Sequence, residues 1–178
     1  MKIKINSELY YKLINHGPCC LITSGNSNIK NISPIAWITP LNDEPPLVAI
    51  CVASTHYTAE LIGRYKEFVI NIPSVSLIEE IKLAGKFSGR KKNKFEILKL
   101  TIEEGIKVDV VHIKECIGFI EAKLVDKKEY EGVTLFIGKV VYCEVEKDVF
   151  DGENLIPEKA KTIHHVGGNK FFISSKVI

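Results

Sequence analysis

The chain has 178 residues, 46% of them hydrophobic, with 24 basic against 22 acidic side chains. That length and composition suit one domain, residues 1–178, burying roughly 70% of its unfolded surface. The near-balance of charge gives no footprint for nucleic acid. No run approaches the ~18 apolar residues that span a bilayer, and Met1–Leu13 lacks a signal core, so the expectation is a cytoplasmic protein without a membrane partner.

In chain order, Leu9–Ile14 has a helical pattern that stops at Gly17-Pro18. CCLITS reads as a strand, with Cys19 and Cys20 as ordinary strand cysteines, and GNSN as a turn. NISPIAWITP is one further extended run, whose Pro34 and Pro40 argue for an edge or an irregular path. LVAICVA is a strand buried on both faces. TAELIGRY is a short helix with Leu61, Ile62 and Tyr65 on one face. EFVINIP is a strand. SLIEEIKLAG is a second helix, with Leu77, Ile78, Ile81 and Ala84 or Gly85 inward. Lys86–Lys99 is basic and less regular, with a short helix at NKFEIL; Arg90, Lys91, Lys92 and Lys94 read as a solvated loop.

CIGFIEAKLVDKKEY and GVTLFIGKVVYCEVE flank Glu131-Gly132 and form a β-hairpin. The second run is apolar on both pleat faces, so a barrel core covers one and a helix or a second subunit the other. From about residue 147 to 178 come a connector, DVFDGENLIPE, and a closing segment, HHVGGNKFFI, read as a Gly-Gly turn and a final strand. Cys51, Cys116 and Cys143 sit in apolar runs and read as buried free thiols. Several strands, two short helices and no GxGxxG disfavour a dinucleotide-binding parallel sheet and favour a small barrel with peripheral helices.

The junction CVASTHYTAELI holds the chemistry. A helix N-terminus leaves about four amides unpaired and carries roughly half a positive charge. Ser54, Thr55, His56 and Thr58 around it make a phosphate site; equally, Thr55 or Thr58 simply caps the helix while His56 faces solvent. Upstream, Asn31–Leu41 carries the chain's only Trp, Trp37, and feeds directly into the strand that ends at this junction.

Taken in order, Thr23-Ser24, Asn31 and Trp37-x-Thr39-Pro40-Leu41, then PPLVAI, HYTAELI, EFVINIP, SGRKKNKFE, LFIGKV and the Gly167-Gly168 tail resemble the flavin reductase-like FMN-binding split-barrel family, flavoredoxin type. The resemblance covers about Pro18–Val145 plus that tail. It implies a mainly β protein, a six-stranded Greek-key split β-barrel with short peripheral helices, forming a homodimer with FMN at the subunit interface. It lays Asn31–Leu41 along the flavin ring, with backbone amides near Ala36, Trp37, Ile38 and Thr39 at the ring's polar edge. Ser54, Thr55, His56 and Thr58 take the phosphate, His56 standing where many relatives have Arg. Asn71, Ser88 and Lys94 approach the cofactor or the partner subunit.

The activity implied is an FMN-dependent oxidoreductase that passes electrons from NADH or NADPH through bound flavin to a flavin, ferric chelate, redox protein or small molecule. The alternative is a flavin-binding electron carrier without nicotinamide turnover. It is favoured by one departure: relatives often carry a His near the position of Val133 and Thr134. His164 and His165 of the tail either reach the site instead or are surface residues. No catalytic protein residue is expected, since the flavin carries the chemistry. His112, His164, His165 and the cysteines have no metal-ligand spacing, so no metal is expected.

Overall fold

A computed structural model describes residues 2–177. After a 3-10 turn, Ser7–Leu13, come β1 (Cys20–Gly25), β2 (Lys30–Ile35), β3 (Ile38–Asn42) and β4 (Leu47–Ala53). The helix α1 (Tyr57–Tyr65) leads to β5 (Glu67–Ile72) and then α2 (Ile78–Lys86) and α3 (Lys94–Leu98). A small pair, β6 (Ile102–Glu103) and β7 (His112–Ile113), precedes the long hairpin β8 (Gly118–Tyr130) and β9 (Val133–Val145). The chain closes with α4 (Pro157–Ala160), β10 (Ile163–Gly167) and β11 (Lys170–Ile173).

One antiparallel sheet dominates, in the order β2-β1-β5-β8-β9-β4-β3. Its outermost strands, β2 and β3, are consecutive in the chain, separated only by Ala36 and Trp37. In a flat sheet they would lie ~29 Å apart at about 4.8 Å per strand. Ile35 and Ile38 are three residues apart and span at most about 11 Å. The sheet must therefore curl until its edges meet, and β2 does approach β4. This corrects the expected strand count. The sheet has seven strands rather than six because the single run NISPIAWITP breaks at Ala36-Trp37, and its halves serve opposite edges. Both prolines of that run lie on these edge strands, where a missing N–H breaks no ladder bond between central strands.

The strand β1 is buried on both faces by period-two alternation. Cys20 and Ile22 point into the barrel with Ile50, Val52, Phe68, Ile70 and Phe136, and α1 adds Ala59 and Ile62 to that cluster. Cys19 and Leu21 point outward to Ile81 and Ala84 of α2, Leu98 of α3 and Ile163 of β10. Each such aliphatic side chain contributes about 1.5–3 kcal/mol by leaving water. Gly138 of β9 is dictated by this packing, since a Cβ there would stand 2.6 Å from Cζ of Phe68.

Of the inward positions expected on α2, Leu77, Ile81 and Ala84 are buried, whereas Gly85 is exposed. The β8–β9 turn is Glu131-Gly132, both with positive φ (42° and 94°), the backbone of a tight two-residue hairpin. On β9, Phe136 is buried inside, while the outward Leu135 and Ile137 remain half-exposed. Two tail and thiol expectations are corrected. The closing segment is a two-stranded hairpin rather than a lone strand, with His164 and His165 in its first strand. Cys143 is exposed, on the part of β9 beyond Lys139, where β4 no longer pairs with it. Burial raises the thiols of Cys19 and Cys20 to about 12 and holds Cys116 high as well. Among the described residues, no helix is long and apolar enough to cross a membrane.

Candidate functional site

The site is built at the end of β4. There the Ser54 amide donates to the Gly132 carbonyl (2.8 Å) and the Ser54 and Thr134 hydroxyls pair at 2.8 Å. The His56 amide then donates to the Ala53 carbonyl at 2.8 Å, turning the chain into α1 with His56 as N-cap. No side chain caps this helix, so the capping expectation for Thr55 or Thr58 does not hold. The Thr58 hydroxyl is instead buried and accepts from Asn31 Nδ2 at 3.0 Å. The first-turn amides of α1 are thus left without a side-chain acceptor, a region of positive potential.

A cavity of about 320 Å³ lies at that helix start. Ser33, Thr55, Thr58 and Ser88 line it, with Lys86, Arg90 and Lys94, and no Asp or Glu does. Arg90 is fixed there by Glu60, which accepts from Nε (3.1 Å) and Nη2 (2.7 Å), and by the Thr55 carbonyl, which accepts from Nη1 (2.8 Å). A guanidinium has five N–H donors, so two remain. Lys94 is buried, and its Nζ donates to the carbonyls of Ile32 and Ala84, both at 2.8 Å, tying α3 to β2 and to the end of α2. Desolvation lowers its pKa to about 8. One buried polar atom of the cavity has no partner: Oδ1 of Asn31. It packs against Gly89, where a Cβ would come within 2.1 Å; a glycine lets the loop lie this close to the amide.

A second cavity, of about 580 Å³, adjoins the first through shared His56, Gly85 and Lys86. Its character is different: Pro34, Ile35, Ala36, Trp37, Val52, Ile81, Val133 and Phe171 line it. Cys51 is half-buried in its wall, and desolvation raises its pKa. The β10–β11 hairpin closes one side with His165, Gly168 and Phe171. His165 is held at both ring nitrogens, Nδ1 against Nδ2 of Asn15 (3.1 Å) and Nε2 against the Gly168 carbonyl (2.9 Å). Since an amide nitrogen only donates, Nδ1 is the acceptor and Nε2 carries the proton. His164 does not line this cavity. It stacks on Phe172 at 4.8 Å, with its Nδ1 3.1 Å from the His16 carbonyl.

The residues singled out from sequence divide clearly. Asn31, Thr55, His56, Thr58, Ser88 and Lys94 meet around the smaller cavity, and Ala36 and Trp37 in the larger. Ile38 and Thr39 lie just beyond, lining with Trp37 a third hollow under Tyr10 and Tyr11. Trp37 is 44% exposed and meets Tyr11 edge-on at 6.1 Å, so it is not core. Ser54 is spent on the β9 turn. Asn71 is excluded from these cavities and fully engaged: Nδ2 donates to the Leu21 carbonyl and Thr23 Oγ1, and Oδ1 accepts the Ile113 amide. Sequence reading missed Ser33, Lys86 and Arg90. The signal for Arg90 was only its place in a basic run, while its partner Glu60 lies 30 residues away.

A family model described as "Flavin reductase like domain" matches residues 14–162. An uncharacterized protein of Archaeoglobus fulgidus is 37% identical over 155 residues, 87% of this chain and 86% of that protein. The uncharacterized protein YddH of Escherichia coli is 35% identical, covering 95% of this chain and 94% of its own. More distant is a ferric-chelate reductase (NAD(P)H) of Archaeoglobus fulgidus, 27% identical over 79% of this chain and 82% of that enzyme. Among solved structures, flavoredoxin from Methanosarcina acetivorans superposes with a TM-score of 0.88 at 22% identity, over 100% of this chain and 94% of that one. An FMN-binding flavin reductase-like domain from Shewanella baltica gives 0.82 at 23% identity, over 98% and 94%.

Proposed function

The chain belongs to the flavin reductase like domain family, and from that premise we propose that it holds FMN and passes electrons from NADH or NADPH to a second acceptor. The acceptor is a flavin, a ferric chelate, a redox protein or a small molecule. The observation that carries the reading is the continuity of two cavities of opposite character. One is apolar and is walled by Trp37; the other is cationic and hydroxyl-lined, at a helix start. FMN has the same two-part chemistry, a flat ring and a polar, anionic tail.

Asn31 supports the fit. An orphaned buried acceptor costs about 1–3 kcal/mol, and the ribityl hydroxyls of FMN are donors that relieve it. Alternatively the amide turns over, because its oxygen and nitrogen are assigned from the hydrogen-bond network. Thr58 and Ser24 then donate to Oδ1, and Nδ2 takes the sealed place beside Gly89. Either arrangement leaves one polar atom unpaired until the Gly89 loop shifts to admit a polar ligand.

In this reading the α1 amides, Thr55, Thr58, Ser88 and Arg90 hold the phosphate, and His56 stands where tail and ring meet. Lys94 adds buried positive charge behind them and fixes the α2–α3 wall. The backbone of Ala36–Thr39 runs along the ring's polar edge, while Val52, Ile81 and Phe171 exclude water. Ser54 and Asn71 act behind the site, pinning the strand end and the β1–β7 contact. Bound flavin supplies the acceptor for hydride and the donor of single electrons, so the chain's part is orientation, desolvation and fixed dipoles. We place a second copy of the chain on the outward face of β9, where Leu135 is half-exposed beside Trp37.

The electron-carrier reading is favoured by one feature: the wall of the ring cavity nearest the β9 start is Val133, an aliphatic side chain, and Thr134 is committed to Ser54. The two readings separate when the flavin-loaded protein is mixed with NADH or NADPH without oxygen and followed near ~450 nm, a general flavin absorbance. Fast bleaching is expected. A spectrum that only dithionite bleaches overturns nicotinamide turnover and leaves the carrier.

A further inference from the structure

The closing hairpin is anchored at its root and sparsely held at its tip. At the root, the Cys19 amide donates to the Ile163 carbonyl (2.8 Å), Pro18 bridges to His164, and His164 Nδ1 lies 3.1 Å from the His16 carbonyl. The tip is Gly167-Gly168-Asn169. Both glycines have positive φ (151° and 55°), and a Cβ on Gly168 would meet nothing within 4 Å. The strand register also slips between His165 and Gly167. Such a tip has little preference of its own for one conformation, because glycine loses the most backbone freedom on ordering. Yet Gly168 and Asn169 form part of the wall of the larger, apolar cavity.

Among the described residues, the one side-chain hydrogen bond to that tip comes from His165, whose Nε2–H donates to the Gly168 carbonyl at 2.9 Å. The other ring nitrogen, Nδ1, accepts from Nδ2 of Asn15 at 3.1 Å, and Asn15 is buried in the lead into β1. A carbonyl only accepts, so Nε2 carries the proton; a neutral imidazole then leaves Nδ1 as the acceptor that Asn15 fills. The imidazole also meets the ring of Phe171 at 5.2 Å, and Phe171 lines the same cavity. We propose that His165 is a positioning residue for the flavin: set in tautomer and orientation by Asn15, it holds the Gly167–Asn169 tip as a wall of the ring cavity. The proposal rests on the reading of the larger cavity as the ring site. His164 has no such part, since it lies outside that cavity and stacks on Phe172. The tip lies outside the smaller, cationic cavity, so its hold acts on the ring and not on the phosphate.

The test measures dissociation constants of the full-length protein for riboflavin and FMN, by fluorescence quenching, in the native chain and in three variants. His165→Ala loses about five- to tenfold for both ligands, with the FMN-to-riboflavin ratio within about twofold of native. His165→Gln puts an amide donor about where Nε2 stands, keeps the bond to Gly168, and stays within about twofold of native for both. His165→Asn puts its amide about where Nδ1 stands, keeps only the Asn15 contact, and falls like Ala. The ring-nitrogen NMR spectrum of the native protein shows His165 with Nε2 protonated and Nδ1 bare. Affinities unchanged in the Ala and Asn variants, with only the thermal midpoint lowered, reduce His165 to a strut of the fold and overturn the proposal. So do an Asn variant that keeps the affinity Gln loses, a loss confined to FMN, and a spectrum with the proton on Nδ1. If the native chain binds neither ligand, the flavin reading itself has failed and takes the proposal with it, which is visible before any variant is made.

Discussion

Replacing Arg90 with Ala separates cofactor grip from folding. Three of its five donors are spent on Glu60 and Thr55, leaving two for an anion in the cavity. A hydrogen bond to a charged group is worth about 1.5–3 kcal/mol, so loss of one such contact weakens FMN about 10- to 100-fold. Riboflavin, which lacks the phosphate, should bind within about twofold of the native value. The structural cost is small, since the Arg90–Glu60 pair is 42% and 47% exposed, and such pairs contribute about 0–1 kcal/mol. The assay is quenching of flavin fluorescence on titration, with both ligands at two salt concentrations. Equal losses for FMN and riboflavin, or no loss for either, would show that Arg90 does not face the phosphate.

Other substitutions report on the framework. Lys94→Met leaves the Ile32 and Ala84 carbonyls without a donor and should cost about 1–3 kcal/mol by urea unfolding. Because the folded Lys94 pKa is lowered to about 8 from 10.5, the unfolded chain binds more protons between those values. This group therefore makes stability rise with pH across that window, and the slope should be shallower in the variant; an unchanged slope refutes the assignment. Gly138→Ala drives a Cβ into Phe68 and should destabilise by about 1–3 kcal/mol, measured as a lowered urea midpoint. In a thiol titration of the native protein Cys143 should react first, and Cys19, Cys20 and Cys116 only on unfolding, since burial holds their thiols protonated.

Local features were the legible ones. Continuous apolar runs placed β1 and β4, and 3.6 periodicity placed Leu61 and Ile62 and then Leu77, Ile81 and Ala84. The abrupt change from an apolar run to Ser, Thr and His marked the α1 junction, and Glu131-Gly132 marked the long hairpin. What escaped depends on residues distant in sequence. Asn71 looked like a polar site residue, yet it is consumed by Leu21 and Ile113, 50 and 42 positions away. Arg90 and Lys94 looked alike in a charge run; one is stacked on Tyr57 at a cavity mouth, the other is buried against two carbonyls. The break at Ala36-Trp37 is invisible as periodicity, because both halves are extended and only barrel closure sends them to different neighbours.

The reading stands or falls on whether the joined cavities at the α1 start hold flavin mononucleotide. The direct measurement is the visible spectrum of the freshly purified protein, with the released cofactor identified by chromatography and the colourless remainder titrated with FMN. A flavin spectrum and saturation near about one flavin per chain are expected. A protein that is colourless as isolated and takes up no flavin on titration contradicts it.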